Sequence, residues 1–262
     1  MTATEHDRVA PGAPPPPSTG MRVVKAVLGL ILVMFLGLVV PLAAGLLAVN
    51  ALRMAGVDVR HDTLRVLYVQ HGLQLVLALL VILVLKRLVP TDYGLHPPRG
   101  RSYVGAALLW GAVFGLIMLL VDYAPQLLAH TKPSLGYPVM SASAGGWLVF
   151  EGIYVGPTEE IPFRSMLVPL FMALWPARLR LGRFEMHWAG VVVALLFALL
   201  HAANFSTRPW PIALGQQVYA FALGVLYAYW LEKSGSVLAP SIGHNASDAV
   251  EYLLLYGWVG IA

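Results

Sequence analysis

The chain contains no cysteine in its 262 residues. That excludes a thiolate nucleophile, structural disulfides and thiolate metal ligands. Charge is scarce as well. Asp, Glu, Lys and Arg make up 11% of the chain, against about 25% in an average soluble domain. Several catalytic signatures are missing: a His-Glu-x-x-His zinc helix, a Gly-x-Ser-Gly nucleophile, a Gly-x-Gly-Asp motif and a phosphate-binding glycine loop. Without them the sequence gives little support to a zincin, a serine or aspartyl intramembrane protease, or a nucleotide-driven pump. The net charge of +4 does not point to nucleic acid, because the basic residues sit between apolar runs, where they set topology.

What the chain has instead is apolar length. Hydrophobic residues make up 58% of it. Residues 26–52, 66–85, 102–121 and 209–231 carry no charged side chain, and each run can cross a hydrocarbon core of about 30 Å as a helix. The fold class is therefore all-α, a polytopic transmembrane bundle. Spans are expected at about 23–50, 64–86, 103–124, 143–175, 187–205, 211–231 and 236–256. Residues 1–20 read as a disordered proline-rich tail. Residues 21–262 read as the membrane domain, with a catalytic core at about 143–256.

The fourth segment is long, and Gly156-Pro157 and Pro162 are expected to interrupt it. Pro162 cannot donate to the Thr158 carbonyl, which therefore needs another partner. With seven spans and an inside N-terminus, eleven Lys and Arg fall inside and five outside, a positive-inside bias. Splitting the fourth segment to give eight spans makes the count eight against eight. The charge pattern thus favours one long, kinked or re-entrant element. The bundle is expected to hold seven or eight membrane helices in a multi-pass bacterial cytoplasmic membrane protein.

Ionisable groups inside such segments are costly and point to function. Glu159-Glu160-Ile161-Pro162-Phe163-Arg164 places Glu160 and Arg164 four apart, acid first, the favourable order for a helical ion pair. Glu159 points about 100° away on a helix of 3.6 residues per turn. It has no such local partner, which leaves it free as a general base. Phe197 and His201 share a helix face, with Asn204 three residues on. His201 can hold a water together with Glu159. His244 and Asp248 are again four apart. His244 can donate to a developing oxyanion while Asp248 accepts from its other ring nitrogen. Each site has a plainer reading: packing ion pairs, a histidine satisfied by a helix carbonyl, a wet helix end. Glu151 is divided between the same cavity and water. Gln70, His71 and Gln74 form a polar stripe suited to helix–helix hydrogen bonding. Trp188, Trp210 and Tyr227 read as interface anchors, and His187 as facing water.

Taken together, Glu159-Glu160…Arg164, Phe197…His201 and His244…Asp248 resemble the CAAX protease and bacteriocin-processing family, which includes the type II prenyl-protein endopeptidases. The resemblance covers about residues 150–250. It implies a membrane fold commonly described with eight helices, and peptide hydrolysis by a glutamate-activated water. It implies that Glu159 and His201 activate the water, that His244 and residue 248 stabilise the oxyanion, and that Glu160 and Arg164 organise the site. Asp248 stands where the best-studied prenyl-protease branch has Asn. Aspartate has no amide to donate, so its role is open between orienting His244 and acting in protonated form. The expected partners are a membrane-associated peptide or protein substrate and the lipid bilayer, with no nucleic acid. No cofactor is expected. Two alternatives stand beside the hydrolase: a zinc metallopeptidase using His201, His244 and the carboxylates, and a non-enzymatic scaffold or bacteriocin-immunity protein.

Overall fold

The computed structural model describes residues 19–133 and 141–260. The proline-rich tail, apart from Thr19 and Gly20, lies outside the described residues. Among the described residues, eight helices follow in order. They are α1 (Thr19–Met54), α2 (Thr63–Leu88), α3 (Val104–Asp122), the short α4 (Ala124–Leu128), α5 (residues 141–174), α6 (Trp188–Leu200), α7 (Trp210–Ser234) and α8 (Leu238–Val259). A 3₁₀ turn, His201–Ser206, continues α6.

The burial pattern is that of a protein in lipid. Along α1 only a narrow stripe of mostly small and β-branched residues (Val33, Gly37, Val40, Ala44, Ala48) faces the bundle. Leu28, Phe35 and Leu42 stay more than half exposed. Glu160, Arg164, His244, Asp248 and Glu251 are buried. Large apolar side chains outside and ionisable ones inside invert the arrangement expected in water. Among the described residues, five helical stretches are long and apolar enough to cross a membrane: Thr19–Met54, Thr63–Leu88, Val104–Asp122, Trp188–Ser206 and Trp210–Ser234. The protein is a multi-pass helical membrane protein.

The expected interruption of the fourth segment takes another form. Residues 141–174 remain helical throughout, and two π-helical stretches, Phe150–Tyr154 and Ile161–Leu167, flank a short α-helical run holding the glutamates. Widening the turn accommodates prolines without ending the helix. The carbonyls that Pro157 and Pro162 leave without a donor are both met from neighbouring helices. Asn245 Nδ2 donates to Ile153 O, four residues before Pro157, at 3.0 Å. Gln74 Nε2 donates to Thr158 O, four residues before Pro162, at 3.0 Å. The same Asn245 accepts from the Gly156 N–H at 2.7 Å. A Cβ at Gly156 would lie 2.4 Å from Ser241 O, so α5 and α8 meet backbone to backbone there.

Helix α8 is fixed on its other side by α3. Gly111 and Gly115, spaced as Gly-x-x-x-Gly, let the two backbones approach closely. A Cβ at Gly111 would meet Gly243 O at 2.8 Å, and one at Gly115 would meet Ser247 O at 2.4 Å. These contacts fall beside His244 and Asp248, so the packing sets the height and rotation of the polar face of α8.

One small departure from all-α is an antiparallel hairpin, β1 (Arg178–Leu181) with β2 (Phe184–His187), in register Arg178↔His187 and Leu181↔Phe184. Arg178 pairs with Glu185 and, at 2.8 Å, with Glu232 in the last turns of α7. His187, expected to face water, instead lies 3.1 Å from Glu232 with its side chain 16% exposed.

Candidate active site

Helix α5 brings two carboxylates to the bundle interior and splits their duties. Glu160 and Arg164 are both fully buried, with Arg164 Nε 3.0 Å from Glu160 Oε2. The guanidinium also lies over the Phe197 ring (4.3 Å) and the Tyr227 ring (5.6 Å). Cation–π contact is one way to hold a guanidinium away from water. Glu160 Oε1 receives His244 Nδ1 at 2.7 Å. Arg164, Glu160 and His244 thus form a buried chain joining α5 to α8.

That chain gives His244 a second partner beside the expected Asp248. His244 is oriented through Nδ1 by Glu160, a contact between two helices that sequence spacing does not reveal. Asp248 Oδ2 approaches the other nitrogen, Nε2, at 3.3 Å, and Glu159 Oε2 faces the same atom at 3.7 Å. The reading of Tyr227 is corrected. It is 2% exposed, stacks on the His244 ring at 5.9 Å and forms an inner wall, because residue 227 lies well inside α7. Trp188 and Trp210 begin their helices with exposed rings, as anchors do.

His201 combines both of its readings. Its Nδ1 lies 3.0 Å from Phe197 O. A carbonyl can only accept, so Nδ1 carries a proton, and in the neutral ring Nε2 keeps its lone pair. The side chain nevertheless lines the cavity, as does Asn204. His71 is similar. The Thr158 hydroxyl donates to the helix carbonyls of Tyr154 and Val155, so it accepts from His71 Nδ1 at 3.2 Å. His71 Nδ1 is also 3.9 Å from Glu159. The polar stripe of α2 therefore serves helix–helix bonding through Gln74 and Thr158, and the cavity through His71.

Glu159, His201, His244 and Asp248 all line one cavity of about 400 Å³. Glu160 and Arg164 stand behind its wall. Glu151, left divided by the sequence, lines it too. The sequence reading passed over Glu251, Asp122 and Arg208, which are also lining groups. Glu251 had a signal, since it continues the His244–Asp248 stripe by three residues on the same helical face. Asp122 and Arg208 read as span ends, and nothing in the sequence announces their 2.7 Å ion pair. Among the described residues, no three His, Asp or Glu side chains converge to hold a metal ion.

These features define a class: a polytopic helical membrane protein whose interior holds a carboxylate–imidazole cavity. The family model described as type II CAAX prenyl endopeptidase Rce1-like matches residues 141–250, the stretch that carries all three motifs. That match supports the resemblance to the CAAX protease family over this stretch, and with it protease activity in general. No curated protein and no solved structure matches the chain.

Proposed function

We propose that the chain is an intramembrane peptidase that hydrolyses a peptide bond of a membrane-associated peptide or protein through water activated by Glu159 and His201. One observation carries the reading: Glu159, His201, His244 and Asp248, contributed by three separate helical elements, line the same cavity. In this mechanism the Nε2 lone pair of His201 orients the water, and Glu159 takes its proton as the oxygen attacks the scissile carbonyl. His244, oriented by Glu160 through Nδ1, donates from Nε2 to the developing oxyanion. Asp248 orients the same nitrogen before substrate enters. Glu159 then passes its proton to the leaving amine. Glu160 and Arg164 touch no reacting atom and act as positioning residues.

The catalytic core is taken as about 143–256. We place the protein in a bacterial cytoplasmic membrane with the N-terminus inside, an orientation favoured by the count of basic residues in the loops. The reaction is written without a metal. Under the zinc alternative a chelator abolishes cleavage and zinc restores it. Under the hydrolase reading a chelator leaves cleavage unchanged.

The test uses protein purified in detergent and a panel of membrane peptides. Wild type cleaves at least one peptide, and Glu159→Ala loses at least about 100-fold in rate, the lower range for general-base catalysis. Equal cleavage by the two proteins would sink the role given to Glu159.

A further inference from the structure

The cavity extends beyond the reacting groups. Past Asp248 it is lined by Glu151, Glu251 and Asp122, none of which the hydrolytic step uses. Asp122 is already satisfied, by Arg208 at 2.7 Å and by the Tyr219 hydroxyl at 3.2 Å. Asp248 and Glu159 share His244. Glu151 faces the Tyr252 hydroxyl. Glu251 is different. It is 7% exposed and lines the cavity, and among the described residues the basic side chain sharing that lining, Arg208, is paired with Asp122 instead. A carboxylate withdrawn from water and left unpaired is costly. An empty space in front of it is where a cation would relieve that cost.

We propose that this acidic end of the cavity is a specificity subsite that binds a lysine or arginine side chain of the peptide substrate, with Glu251 as its main partner and Glu151 beside it. The inference rests on the peptidase reading and adds the class of peptide cleaved. The geometry also sets where the basic residue sits. Glu251 lies seven residues beyond His244 on α8, about 10 Å along the axis at 1.5 Å per residue. An extended peptide advances about 3.4 Å per residue, so the basic residue falls within about three residues of the bond cut. The cavity volume of about 400 Å³ lies within the usual range for a ligand site.

The test compares pairs of N-acetylated membrane peptides that differ only by lysine or norleucine at one position within that reach. Acetylation removes the competing terminal ammonium. Binding of dansyl-labelled peptides is measured on Glu159→Ala protein in detergent, so the readout does not depend on turnover. Cleavage is measured in parallel on wild type. The lysyl peptide binds about ten- to hundredfold more tightly than its norleucyl twin, as a hydrogen bond to a charged group allows. Adding Glu251→Gln brings the ratio close to one, and Glu151→Gln reduces it. A kcat/KM preference in wild type follows the binding ratio. Equal binding of lysyl and norleucyl peptides at every position overturns the subsite and leaves the peptidase reading intact. So does a lysine preference that survives Glu251→Gln and Glu151→Gln unchanged. Cleavage that is indifferent to Glu159→Ala overturns the peptidase reading instead, whatever the binding ratios are.

Discussion

The sharpest structural demand falls on Arg164. Its charge sits at zero exposure against Glu160, between the faces of two aromatic rings. Removing one partner of a buried pair leaves the other charge uncompensated, which costs about 3–5 kcal/mol. Arg164→Ala is therefore expected to lower the thermal unfolding midpoint in detergent strongly, and Arg164→Lys to recover part of that loss. The lysine keeps the charge but loses the planar stacking on Phe197. A full-length Arg164→Ala protein as stable as wild type would contradict the role given to the pair. The Glu160–Arg164 contact was readable from the four-residue spacing, because one helix contains both ends. The Glu160–His244 bond was not, because its ends are 84 residues apart. For the same reason the four-residue spacing pointed to Asp248 as a partner of His244 but not to Glu160, which meets Nδ1.

Between helices, the position of the glutamates depends on how α5 tolerates Pro157 and Pro162. Proline chemistry predicted an orphan carbonyl at Thr158, and the polar stripe on α2 predicted helix–helix hydrogen bonding. The structure joins the two in a single bond from Gln74. The expected break was wrong in form, since proline chemistry says that a hydrogen bond is lost but not whether the turn widens or ends. Gln74→Leu leaves Thr158 O buried without that donor, at a cost of about 1–3 kcal/mol. It is expected to lower stability in urea or thermal unfolding and to reduce cleavage through displacement of Glu159. Unchanged stability would mean that the carbonyl finds another donor. Gly115 carries a parallel prediction. Its missing Cβ leaves room for Ser247 O, and overpacking of a tight interface costs about 1–3 kcal/mol. Gly115→Ala is expected to destabilise the protein by that amount, whereas Gly105→Ala, at a site with open space around it, is expected to be near neutral. The hairpin at 178–187 was missed because its strands are four residues each and carry too little alternation to stand out between apolar segments.

Across the bundle, the design is an apolar shell around a polar cavity. The shell was the most legible part of the sequence, since long uncharged runs admit few structures in lipid. The cavity was legible only in part. His201, His244 and the glutamates stood out because each is costly in an apolar segment. Asp122 and Arg208 were hidden at span ends, where charge is ordinary, and only tertiary packing turns them inward. The claim on which the rest depends is that Glu159 and His201 act on one water. A double-substitution cycle tests it most directly, with kcat measured on one cleaved peptide for wild type, Glu159→Gln, His201→Asn and the double variant. Residues that work as a unit are strongly non-additive. Each single change is expected to lower kcat at least about 100-fold, and the double variant is expected to be no slower than the worse single one. Wild-type turnover in either single variant, or losses that multiply in the double, would contradict that claim.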